Sequence, residues 1–102
     1  MMHYTIHKYD LPFVRNTIEF PIGSKVISVK NQRERIVAYV MVPVDQTYND
    51  SVEIEFLVVG TGWTISNEDY RKYHFIDTVM TDNDQLVSHV FAKTVFIERA
   101  LG

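Results

Sequence analysis

Between Ser51 and Val59 one side of an extended backbone carries Val52, Ile54, Phe56 and Val58, and the other carries Glu53 and Glu55 in its first half. An α-helix would scatter this period of two around its circumference, whereas a strand puts one set in a core and the other in water. Similar short segments recur, each closed by a residue that cannot continue a ladder. His3–Tyr9 stops at Asp10-Leu11-Pro12, and Thr17-Ile18-Glu19-Phe20 stops at Pro21. Gly23-Ser24 then turns the chain into Lys25–Lys30. The polar tetrad Asn31-Gln32-Arg33-Glu34 predicts a hairpin into Arg35–Val42, a run apolar on both faces and so expected at the centre of a sheet. Thr81-Asp82-Asn83-Asp84 predicts a second hairpin, between Tyr73–Met80 and Gln85–Ala92.

About seven strands result, with a single helical turn after Ser66, where Asp69 stands three residues on as in a capping box. No long amphipathic helix is present to cover a sheet. The expected fold is therefore mainly β, a small antiparallel sandwich or partly open barrel with at most one or two short helices. One domain is expected over residues 1–102, its core spanning about 3–92. The tail 93–102 reads equally as a prolonged strand or a short helix. A chain of 102 residues that is 46% hydrophobic has enough apolar side chain to fold without a metal or a cross-link.

Composition narrows the chemistry. Cysteine is absent, which removes disulfides, thiolate metal sites and thiol nucleophiles, and fits a reducing compartment. The N-terminal stretch lacks the apolar run of a signal peptide and no segment approaches the length of a membrane span, so a cytoplasmic protein is expected. Asn49-Asp50-Ser51 matches the glycosylation tripeptide, a match without consequence in that compartment. A net charge of −3 argues against general affinity for DNA or RNA. Locally the balance reverses, since Lys25, Lys30, Arg33 and Arg35 are opposed only by Glu34.

Most candidate constellations dissolve on spacing. His3 and His7 share one face of a strand but lie about 13 Å apart, too far to hold one ion. His74 and His89 fall on neighbouring strands near Asp77; a polar cross-strand contact accounts for them, and an enzyme would need all three to converge in a pocket. Asp82-Asn83-Asp84 lacks the glycine and distal glutamate of a calcium loop, and Glu53 and Glu55 read as a solvated face. No catalytic residue, metal site or cofactor is expected. Gly60-Thr61-Gly62-Trp63 is the most distinctive segment. It reads either as a backbone cradle for an anion with Trp63 stacked on a ring, or as a turn leaving the sheet with Trp63 capping the core.

Four segments in order, Tyr4-Thr5-Ile6-His7-Lys8-Tyr9, Pro21-Ile22-Gly23-Ser24-Lys25-Val26-Ile27-Ser28-Val29, Gly60-Thr61-Gly62 and His89-Val90-Phe91, carry a likeness over residues 4–92. The chain resembles a family of short tailed-phage proteins of unknown function, with an I-Y-K-Y start, a P-x-G-A-K-I-L-S-V strand, a G-T-G turn and an H-V-F end. Ser24 replaces that family's small alanine, Trp63 stands where other residues are common, and the tail past Ala92 is longer. The resemblance implies a phage accessory protein in the host cytoplasm, acting by binding. The function expected is sequestration of an anionic, nucleotide-type immune signal, with Lys25, Lys30, Arg33 or Arg35 neutralising phosphate, the backbone of Gly60, Thr61 and Gly62 facing the anion, and Trp63 or a tyrosine stacked on the base. A homo-oligomer without membrane association is expected. The alternative is a structural or protein-interaction role, as a minor virion component or an inhibitor of a host protein.

Overall fold

Each alternating segment pairs antiparallel with its neighbours. The computed structural model describes residues 3–45 and 50–96, with elements in the order β1 (Tyr4–Asp10), β2 (Arg15–Pro21), β3 (Lys25–Gln32), β4 (Arg35–Pro43), β5 (Ser51–Gly60), α1 (Asn67–Lys72), β6 (His74–Thr81) and β7 (Leu86–Phe96). They form a three-stranded sheet, β1-β4-β3, and a four-stranded sheet, β2-β5-β7-β6. The two pack as a sandwich and do not close into a barrel. Asn49 and the tail beyond Phe96 lie outside the described residues.

β4 occupies the centre of its sheet, as its double-sided apolar run predicts: Ala38, Val40 and Val42 enter the core, and Val37, Tyr39 and Met41 take the opposite face. From the other sheet come Phe20, Val52, Ile54, Phe56, Val90 and Ala92. Phe20 and Phe56 are buried almost completely, and Tyr9 meets the Phe20 ring edge-on at 4.9 Å between centroids. Burial of such side chains contributes about 1.5–3 kcal/mol each.

β2 starts at Arg15, earlier than its alternation suggests, because Asn16 is buried and closes the preceding loop. Its amide donates to the Phe13 carbonyl (2.7 Å) and its Oδ1 accepts the Phe13 N–H (3.1 Å). β7 extends to Phe96, which settles the described part of the tail as strand.

Two clamps hold the layers. At the β3/β6 edge, Asn31 Nδ2 donates to the Met80 carbonyl (2.8 Å) and Glu34 accepts the Asp82 N–H, so the β3–β4 hairpin is bonded to the β6–β7 hairpin. On the outer face of the larger sheet, Ile65 and Tyr73, which flank α1, pack with Leu57, Val59 and Phe91, and Arg15 holds the helix through Asp69 (2.7 Å). Ser66 caps the helix, accepting the Asp69 N–H at 3.1 Å. This cover corrects the solvated assignment of Glu55, which accepts from the Tyr73 hydroxyl (3.0 Å) and pairs with Lys93 (3.2 Å).

Candidate functional site

Three connections converge at one end of the sandwich. Pro12 ends β1 and sends Leu11–Val14 across the end, the Leu11 N–H donating to the Ile36 carbonyl at 2.9 Å. Gly60–Trp63 turns away from β5, and the β6–β7 hairpin brings Gln85–Ser88 alongside. Between them lies a mostly apolar cleft of about 630 Å³, bounded by Leu11, Pro12, Phe13, Val58, Trp63 and Leu86. Gly60 is there for close approach: a Cβ on it would stand 2.8 Å from Trp63 Cε2, so the indole folds down over the backbone. Gly62 takes φ +87°, and the Trp63 N–H closes the turn onto the Gly60 carbonyl at 3.1 Å. Trp63 remains 59% exposed at the rim, so it does not cap the core.

A second cleft, about 570 Å³, continues from the first over Leu11, Pro12, Ile36, Leu86 and Ser88 to Asp10 and Arg35. It runs into a third, polar depression of about 380 Å³ formed by Lys8, Asp10, Gln32, Arg33 and Arg35 over Val37. The three adjoin through shared walls, Leu11, Ile36 and Leu86 between the first two and Asp10 and Arg35 between the last two, and together are termed the furrow, with an aromatic end and a cationic end. Arg33 projects from a tight turn in which it and Glu34 adopt φ +52° and +65°, the left-handed conformation that a two-residue hairpin requires. Arg35 lies 3.5 Å from Asp10, an exposed pair in which the guanidinium keeps donors for a ligand.

The structure therefore brings Arg33, Arg35, Gly60, Thr61 and Trp63, distant in sequence, to one furrow. Gly62 shapes the turn without lining it. Lys25 stands at the other end of β3, in a small cleft with His74 and Thr94. Lys30 faces Asp77 at 3.8 Å across the sheet edge. Lys8 joins the cationic end, a contribution legible only once β1 is paired with β4, where Lys8 lies opposite Tyr39 and Asp10 opposite Val37. The N–H groups of Thr61 and Trp63 donate to the carbonyls of Val87 and Gly60, so anion neutralisation at this end falls to side chains.

His89 ties the lip of the furrow. Its Nε2 is 2.8 Å from Thr61 Oγ1 and its Nδ1 3.0 Å from Thr78 Oγ1, so the Gly-Thr-Gly turn is bonded to the histidine of the His-Val-Phe segment. His74 does not join it. His74 pairs opposite Ala92, three residues along β7 and on the other face, roughly 10 Å away, while Asp77 accepts the Thr78 N–H at 2.8 Å. His74, His89 and Asp77 form no convergent constellation. His3, just before β1, contacts Asp45 at the end of the strand pair.

A polar network lies beside the furrow, unseen by sequence reasoning. Arg15 donates to Asp69 (2.7 Å) and to the Tyr73 hydroxyl (3.2 Å), which donates on to Glu55, and Lys93 sits 5.0 Å from the Tyr73 ring centre. Burial, then the Glu55 carboxylate, raises the Tyr73 phenol above its ordinary value, and the hydrogen bond from Arg15 lowers Asp69. Its members span 54 residues between Arg15 and Asp69, so no local spacing announces it. It fastens α1 to the sheet.

A family model described as a domain of unknown function, DUF7352, matches residues 2–100. The chain belongs to this family. The matched residues include every strand of both sheets and α1. No match was found to a curated protein or to a solved structure.

Proposed function

We propose that the end furrow binds a small anionic ligand carrying an aromatic ring, of nucleotide type, and that the protein is a phage-encoded, non-enzymatic binder that sequesters such an immune signal in the host cytoplasm. The observation that carries this reading is the union, in one furrow of adjoining clefts, of an exposed indole at one end and Lys8, Arg33 and Arg35 at the other. A base stacked on Trp63 gains about 1–3 kcal/mol. The guanidinium groups offer planar, forked donors to phosphate oxygens, and the apolar floor excludes water from between the two ends. The phage setting rests on the resemblance of the four motifs.

Two experiments test it. Protein purified from bacteria is heat-denatured and the released small molecules are identified by mass spectrometry; a stoichiometric nucleotide is the expected result. Isothermal titration with a panel of cyclic dinucleotides follows, using the wild type, Trp63→Ala and the double variant Arg33→Glu/Arg35→Glu. Loss of binding in the double variant, with an about tenfold weakening in Trp63→Ala, is expected. No released nucleotide together with no heat from any member of the panel, or unchanged affinity in the double variant, overturns the reading.

A further inference from the structure

The outer face of the three-stranded sheet lies open. Register sets its side chains in transverse rows: Ile6, Met41 and Lys25; Lys8, Tyr39 and Ser28; Asp10, Val37 and Lys30. Tyr4 opens the face at 50% exposed, Ile6 is 58% exposed, and Ile27 stands out at the bulge between Val26 and Ser28, itself 48% exposed. On the opposite outer face, on the larger sheet, Ile65 and Tyr73 pack over Leu57 and Val59; among the described residues no element lies over this one.

Charge distinguishes the face from the rest of the molecule. Each row holds a lysine, with Ile6, Met41 and Tyr39 as the apolar centre of the first two and Val37 buried in the third; Asp10 is the one acid within the rows, Asp77 meets Lys30 from the edge at 3.8 Å, and the chain as a whole carries a net charge of −3. An apolar centre with a charged rim is the anatomy of a protein–protein contact, and the sign of the rim selects the partner. We infer that this sheet face docks an acidic protein surface whose centre is apolar or aromatic. A second copy presenting the same face would set lysine against lysine, which disfavours a two-fold pairing through it. Nucleic acid would not use Ile6, Ile27 and Met41, and its affinity is opposed by the overall charge. Strand spacing gives a face about 15 Å wide and 23 Å long, well below the roughly 800 Å² per partner of a stable complex, so the contact is transient.

The test uses the full chain and a random glutamate–tyrosine copolymer as the probe, read by fluorescence anisotropy, with polyglutamate, polylysine, duplex DNA and anionic phosphatidylglycerol vesicles alongside. The copolymer binds more tightly than polyglutamate, polylysine does not bind, and high salt weakens the interaction. Ile6→Asp and the double variant Lys25→Glu/Lys30→Glu each reduce copolymer affinity about tenfold or more while their thermal transitions stay cooperative. Trp63→Ala leaves it unchanged, which separates this surface from the aromatic end of the furrow, the end that shares no residue with it. The inference is overturned by copolymer binding that either surface variant leaves intact, by tighter binding to DNA or vesicles than to the copolymer, or by a self-association in size-exclusion chromatography that Ile6→Asp abolishes.

Discussion

Gly60 and Trp63 constrain one another. The indole rests where any Cβ on residue 60 would have to go, so Gly60→Ala is expected to lift the ring away from the backbone at a cost of about 1–3 kcal/mol. Trp63 is the only tryptophan, and a red-shifted emission with a lowered denaturation midpoint reports both effects directly. Tyr73 poses a different problem, because its phenol is buried against a carboxylate. Its value in the folded protein lies above the ordinary 10.0, so the protonated hydroxyl contributes stability below that pH, and the contribution is lost as pH rises through the raised value. Tyr73→Phe should cost about 1 kcal/mol near neutral pH by removing the bridge between Arg15 and Glu55. In urea titrations at increasing pH, the advantage of the wild type over the variant should shrink above about pH 10. A gap that does not narrow would show that the hydroxyl is not held as described.

At the scale of elements, the two hairpins divide their work between conformation and contact. Arg33 and Glu34 sit in left-handed backbone that costs a non-glycine residue about 1–2 kcal/mol, and Glu34 offsets its share by binding the neighbouring hairpin through Asp82. Arg33 has no such return in the fold; its side chain points to the cationic end of the furrow. Arg33→Gly is therefore expected to raise stability by about 1 kcal/mol and to lower affinity for the proposed ligand. Thermal melts and calorimetry on one variant would read these opposed signs, and a loss of stability would contradict the turn. The β6–β7 turn solves the same problem with chemistry suited to it: Asp82, Asn83 and Asp84 all have φ between +51° and +66°, and Asp and Asn tolerate that region better than other side chains.

For the molecule as a whole, the core is narrow and shared. Phe56 from β5 and Val40 from β4 belong to the cluster that joins the sheets, while the smaller cluster of Leu57, Val59 and Tyr73 lies on the outer face of one sheet. Phe56→Ala should cost about 3–5 kcal/mol, a large part of the roughly 5–15 kcal/mol available to a domain of this size. Urea unfolding should show the midpoint collapse; a shift typical of a surface substitution would mean that the layers are not packed as described. The two proposed contacts meet at Lys8, Asp10 and Val37, which belong to both, whereas Trp63 marks the first alone and Ile6 the second alone.

What the sequence determined by itself is what depends on neighbours along the chain. Alternation predicted strands and their faces, Pro12 and Pro21 marked strand ends, Ser66 with Asp69 marked the helix start, and the double-sided apolar run put β4 at the centre of a sheet. The sequence also singled out Arg33, Arg35 and Trp63, but not that they share a furrow, nor that Lys25 and Lys30 stand apart from it. Those facts belong to the tertiary structure, as do the Arg15–Asp69 and Tyr73–Glu55 contacts and the clasp of Asn31 and Glu34 on the second hairpin. The physical reason is that a strand's period is set by steric geometry within a few residues. Which strands become neighbours, and which end carries which loops, is settled by burial between segments far apart in the chain, and such pairing leaves no local periodicity to read.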